Sequence, residues 1–169
     1  LETTVPIAKA LQTTWHVHSQ IYEVKGCYSG YVAASMKAEP GLGRTAIQQL
    51  HPLCTIDALI HDQGWNHGRE IETDQLADER ADVVLQWMSD EIEKFKGSGL
   101  PPTLLMVSHA DFIVKLLEAI DRHRPDEKEP PFYDSPYNTS ITTIEFRGRR
   151  PWLIEFDAIG HLPRNFRSV

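Results

Sequence analysis

In the run "TLLMVSHADFIVKLL", Thr103 to Leu117, His109 stands where two apolar patterns meet. Leu104 to Val107 are continuously apolar, the pattern of a short buried strand. Beyond the histidine, Phe112, Leu116, Ala119 and Ile120 recur at helical spacing. A residue at such a junction lies at the carboxyl end of a strand, where open α/β sheets gather ligands. It also lies beside the unpaired N–H groups and positive dipole end of the next helix, a ready place for phosphate. The imidazole of His109 and the N–H groups of Ala110 and Asp111 are therefore candidates to face one anion. A histidine that merely caps the helix or packs in a core is the bland alternative. Asp111 itself reads as a first-turn acid favoured by the dipole.

The elements around this junction follow from patterning. "ETTVPIAKALQ" has Val5, Ile7, Ala8 and Leu11 at helical spacing, with Thr3 and Thr4 available as caps and Pro6 tolerable in a first turn. "WHVHSQIYEV" alternates at Trp15 and Val17, so it reads as a short strand leading into a loop. The stretch from Gly26 to Gly43 holds four of the ten glycines and is loop with a helical turn at most. Asp57 to Glu72 is polar and aromatic without periodicity, and a loop of that length is often functional. "TDQLADERADVVLQWMSDEIEKFK" predicts a long helix with a stripe of Leu76, Val84, Trp87, Met88, Ile92 and Phe95, capped by Thr73 and stopped by Gly97. A charged, proline-rich loop from Arg122 to Pro136 precedes two strands, "SITTIEF" and "WLIEFDA". With no internal repeat and no linker, 169 residues make one domain, an α/β sandwich on a mostly parallel sheet.

Composition narrows the functions. The net charge is −7 and the only basic cluster is "RGRR", Arg147 to Arg150, so nucleic acid is not an expected partner. Phosphate chemistry under such a field has to rest on a local set of donors. No apolar run is long enough to span a membrane, and no secretory leader is visible, so the expected setting is cytoplasmic. Cys27 and Cys54 are too few for a disulfide framework or a zinc knuckle.

"LLMVSHADFIVKLL" resembles the second histidine motif of the histidine phosphatase superfamily, the phosphoglycerate mutase-like proteins. Other segments are similar to that family in its own order. "LETTVPIAKAL" resembles the segment after its "S-P-x-x-R-A" arginine, and "IYEVKGCYSG" a shortened "R-E-I-x-x-G-x-x-E-G". "GREIET" resembles its "G-E-(S/T)" lead-in, and "NTSITTIEF" with "FDAIGHL" its closing strands and ending. The resemblance implies a three-layer sandwich with a mostly parallel central sheet and helices on both faces. It implies hydrolysis of a phosphate monoester through a phosphohistidine, without metal or other cofactor, on a small phosphorylated substrate. His109 would contact the phosphoryl group and stabilise its transition state, and Glu23 would give a proton to the leaving oxygen. Ala110 stands where the family has glycine; it keeps the N–H donor and adds a methyl. Arg69, in the long loop, would bind a second anionic group of the substrate. The family's "R-H-G-E" motif, which carries the phosphorylated histidine, is absent from residues 1–169. On this resemblance the first strand and the nucleophile are expected upstream of Leu1. Substrate identity, phosphatase versus mutase transfer, and oligomeric state stay open.

Three other chemistries compete. His16 and His18 on one strand face, with His61, Asp62 and His67, could ligate a divalent metal, although no spacing matches a strong zinc signature. Neither cysteine is followed by a phosphate loop, and no G-x-S-x-G elbow is present. A non-catalytic binding or scaffold protein of the same fold is the remaining alternative. A sheet that lacks a central strand has unpaired edges and an uncovered core face. Residues 1–169 expressed alone are therefore expected to aggregate or stay partly unfolded. Cooperative melting of a monomeric, soluble chain, followed by circular dichroism, would contradict that expectation.

Overall fold

Helix α1, Thr4–Ala10, accommodates Pro6 in its first turn, where an N–H has no intrahelical acceptor to lose. Thr3 holds the N-cap position without a side-chain hydrogen bond, and Ala8 is the buried residue of the helix. The structure, a computed structural model, describes residues 1–30, 32–95, 101–123 and 132–168. The expected helix stop at Gly97 and the middle of the Arg122–Pro136 loop lie outside the described residues. Two units, Leu1–Asp74 and Gln75–Val169, separate in the pattern of contacts.

In the first unit, strand β1 (Trp15–Val17) pairs in parallel with β4 (Cys54–Ile56), Trp15 opposite Cys54 and Val17 opposite Ile56. Parallel neighbours need a long crossover. Here it carries a small antiparallel pair, β2 (Tyr28–Ser29) with β3 (Lys37–Ala38), and then helix α2 (Arg44–Leu50). Ile47 of α2, Cys54 and Ile60 are buried together, with Trp15, Val17, Ile56 and Trp65 packed on them. Burial raises the Cys54 thiol pKa above its ordinary value. Gly43 offers α2 no side-chain cap. The Asp62 carboxylate instead accepts from the Thr45 N–H at 2.8 Å, and the His61 carbonyl accepts from the Arg44 N–H at 3.1 Å. Hydrogen bonding to the Thr45 side chain, and then to its N–H, holds the Asp62 carboxyl below its usual range. Gly41 has φ +68° and lies so close to the Trp65 indole that a Cβ would fall 2.3 Å from its Nε1. No side chain fits there.

In the second unit, helix α3 runs from Asp74 to Lys94 and α4 from Ala110 to Arg122. The expected face of α4 is the buried one: Phe112, Leu116, Ala119 and Ile120, joined by Leu117. The face of α3 agrees with expectation at Val84 and Met88 and differs elsewhere. Ala77, Ala81, Val84, Leu85 and Met88 are buried, whereas Leu76 and Phe95 are exposed. Arg80 is buried too, its guanidinium carbon 4.0 Å from the centre of the Phe112 ring. The apolar stem and flat head of an arginine can occupy such a place, which a hydrophobicity pattern does not reveal. Lys115 reaches Asp78 at 3.1 Å and Glu118 at 3.2 Å. Burial lowers the Lys115 pKa, but these two carboxylates outweigh it and the net shift is upward.

Strands β5 (Ile141–Arg147) and β6 (Arg150–Ala158) form an antiparallel hairpin closed by Gly148-Arg149, with φ +67° at Gly148. Both expected C-terminal strands are thus present, but they run antiparallel. The Tyr133 hydroxyl donates to Asp121 of α4 at 2.8 Å, and its ring meets Phe156 of β6 edge-on.

Thr103–Ser108, expected as a strand, belongs to no sheet among the described residues. Strand assignment requires a neighbour's hydrogen-bond ladder, and apolar β-prone residues do not supply one. The chain is therefore mixed α/β, with one small parallel pair, two antiparallel pairs and helices. Among the described residues no helix is long and apolar enough to cross a membrane. Phe112→Ala is expected to cost about 3–5 kcal/mol in urea denaturation, because it opens a cavity and removes the surface on which Arg80 lies. A loss under about 1 kcal/mol would show that this contact is not central to the unit.

Candidate functional site

His109 is the N-cap residue of α4, with extended backbone at φ −115° and ψ 157°. Its carbonyl accepts the first helical bond, from the Ile113 N–H at 2.9 Å. The side chain makes no capping bond and is exposed. The imidazole is therefore open to solvent at the start of a helix whose first-turn N–H groups, those of Ala110 and Asp111 among them, have no intrahelical acceptors. Ala110 is half-buried, and the Ser108 hydroxyl before it is enclosed without a hydrogen-bond partner among the described residues.

Glu23 lies in the first unit, in the loop after β1. Its Oε1 accepts from the Val24 N–H at 2.7 Å, and its carbonyl accepts from the Gly26 N–H at 3.1 Å. Lys25 and Gly26 turn the chain with φ +77° and +81°. At the start of this loop Ser19 is buried, and its N–H and hydroxyl both donate to Asp57 Oδ2, at 3.2 and 2.6 Å. Asp57 Oδ1 accepts from the Leu59 N–H at 3.0 Å. Burial pushes the Asp57 carboxyl pKa up, but the bonds from Leu59 and Ser19, with His18 nearby, outweigh it and the net shift is downward. At the far end, the Tyr22 hydroxyl donates to Glu72 at 3.2 Å, and the Glu72 N–H donates to the Lys25 carbonyl at 3.3 Å.

Arg69 is half-buried, its guanidinium carbon 5.2 Å from the centre of the Tyr22 ring. Tyr22 also packs against Trp65, 4.9 Å between ring centres. Arg69 thus lies over Tyr22, the residue before Glu23, in the first unit, whereas His109 and Ala110 belong to the second.

Three residues that sequence reasoning missed hold the first unit's loops. Arg44 donates to the carbonyls of Ile56, Asp57 and Ile60. Asp57 holds Ser19. Asn66 is 2% exposed, and its amide nitrogen donates to the carbonyls of Cys27 and Glu39 at 3.1 and 2.9 Å. Gly64, where a Cβ would fall 2.1 Å from the Pro40 carbonyl oxygen, was the one cue to a tight backbone approach there. The metal candidates disperse: His16 Nδ1 bonds Thr55, His18 Nδ1 accepts from the Gln20 N–H, and Asp62 caps α2. Among the described residues no three or more such side chains are grouped to hold a metal ion.

No protein-family model, no curated protein and no solved structure matches this chain.

The Asp57 shift has a definite pH consequence. A carboxyl whose folded pKa is depressed contributes stability above its unfolded pKa of about 3.9, and that contribution disappears as pH falls through the folded value. The stability gap between wild type and Asp57→Asn is therefore expected to be full near pH 7 and to close below about pH 4. Chemical denaturation at both pH values checks it; a gap that widens toward acid would reverse the assignment.

Proposed function

We propose that this chain is most of a phosphoglycerate mutase-like histidine phosphatase domain, a three-layer α/β sandwich completed by residues preceding Leu1. In this reading an upstream histidine attacks the phosphorus of a phosphate monoester, the ester P–O bond breaks, and Glu23 gives its proton to the leaving oxygen. Water then attacks the phosphohistidine, Glu23 takes back a proton, and inorganic phosphate leaves with the histidine restored. His109 and the Ala110 N–H hold the equatorial oxygens, where charge collects in the transition state. Arg69 binds a further anionic group, and no metal is required.

The observation that carries this reading is the setting of His109: an exposed, uncapped imidazole at the extended residue that opens α4. An ordinary capping histidine would have turned its ring onto the helix's own N–H groups. The clamped loop around Glu23 adds support, because a proton donor has to be held in position.

In the full-length protein, His109→Ala is expected to lower phosphatase turnover by roughly two to three orders of magnitude, as loss of a transition-state oxyanion contact does. Unchanged turnover would sink the assignment. Glu23→Gln should slow esters with poor leaving groups far more than p-nitrophenyl phosphate, whose leaving group needs little protonation. Equal slowing of both would remove Glu23 from the proton-donor role. An Arg-His-Gly sequence is expected in the residues preceding Leu1.

A further inference from the structure

One nitrogen of the Arg69 guanidinium, Nη1, is enclosed by protein and meets no acceptor among the described residues. Such an N–H has lost water without gaining a partner, a cost that calls for a functional explanation. The surroundings of Arg69 hold it in place. Its head lies over the Tyr22 ring, and its backbone N–H donates to the Asn66 carbonyl at 3.2 Å. Asn66, fastened to Cys27 and Glu39, fixes the turn from which Arg69 projects.

Arg69 also lines a cavity of about 150 Å³, together with Glu39, Pro40, Asn66 and His67 among others. Pockets that enclose a whole drug-sized ligand begin at about 300 Å³, so this one suits a single compact group. A Cβ at Gly68, where φ is +74°, would meet nothing within 4 Å, so the backbone leaves that side open. The Glu39 carboxylate already accepts from the Ser29 hydroxyl at 2.7 Å. A planar guanidinium fork suits an oxyanion, which can take two parallel N–H bonds from it.

We propose that this cavity is an oxyanion pocket in which Arg69 binds a carboxylate or phosphate group. The group is either a second charge on the substrate or a free anion. The first source rests on the phosphatase reading and puts the second charge beside the Tyr22–Glu23 loop; the second source is independent of that reading.

The test is NMR of isotope-labelled full-length protein titrated with inorganic phosphate. Saturable shifts are expected at the Arg69 Nε–H and at the amides of His67 and Gly68, lost in Arg69→Gln and retained in His109→Ala. Arg69→Lys keeps the charge but not the fork and should weaken binding roughly tenfold or more. Turnover of O-phosphoserine and O-phosphoethanolamine, which differ by one carboxylate, separates the sources. A fall of roughly tenfold or more in their kcat/KM ratio in Arg69→Gln identifies the substrate. An unchanged ratio with the phosphate shifts still lost identifies a free anion. Absence of saturable shifts at residues 67–69, or the same affinity in Arg69→Gln or Arg69→Lys as in wild type, overturns the pocket. Failure of the phosphatase reading would show separately, as turnover indifferent to His109→Ala, and would leave the titration result standing.

Discussion

Buried backbone groups have to find partners, and in the first unit side chains from distant positions supply many of them. Its regular structure is sparse, three residues in each strand of the parallel pair. Most of the chain between Val17 and Asp74 therefore lacks a ladder to saturate its N–H and C=O groups. Arg44 collects the carbonyls of Ile56, Asp57 and Ile60, while Asp57 collects N–H and hydroxyl donors from Ser19 and Leu59. Residue 57 is thus held twice, its carbonyl by Arg44 and its carboxylate by the chain after β1. Removing either partner strands the other, and a buried group left unsatisfied costs more than the bond itself contributes. The loop bearing Glu23 inherits its position from this pair.

The second unit relies on apolar contact. Phe112, Leu116, Leu117 and Ile120 are almost wholly buried, and each such side chain contributes about 1.5–3 kcal/mol. The ion pairs of Lys115 and Arg122 with Asp78 and Asp82 lie on partly exposed side chains, where such pairs contribute about 0–1 kcal/mol. Packing thus supplies the stability, and the charges fix how α3 and α4 meet. Arg80 does both, buried and lying on Phe112.

What the sequence made legible follows the same division. The face of α4 and the existence of α3 and β5 could be read because burial there repeats with the period of the element, and β6 from its apolar, β-prone residues. Helix α2 and strand β4 escaped because they are short and carry little pattern. Only Ile47 of α2 is buried, while Leu50 is 61% exposed. The start of α4 at His109 was legible because the apolar pattern breaks there. Arg44, Asp57 and Asn66 were not, since most of their partners are backbone groups at sequence distances that no local window spans. Thr103–Ser108 shows the opposite error. Its residue types favour a strand, but pairing is a property of two segments and cannot be read from one.

The proposed chemistry also has to work against the chain's charge. A phosphate ester approaching a protein of net charge −7 meets repulsion beyond a Debye length only weakly, since at physiological salt that length is about 8 Å. Within that distance, directional donors decide the outcome. The first-turn N–H groups of α4 suit that purpose, because peptide dipoles carry no net charge and are aligned before any ligand arrives. Arg69 adds a full charge whose head is fixed by the Tyr22 ring, so little side-chain entropy is left to lose on binding. An acidic protein can therefore handle anions if its donors are few, local and preorganised, and both of these are.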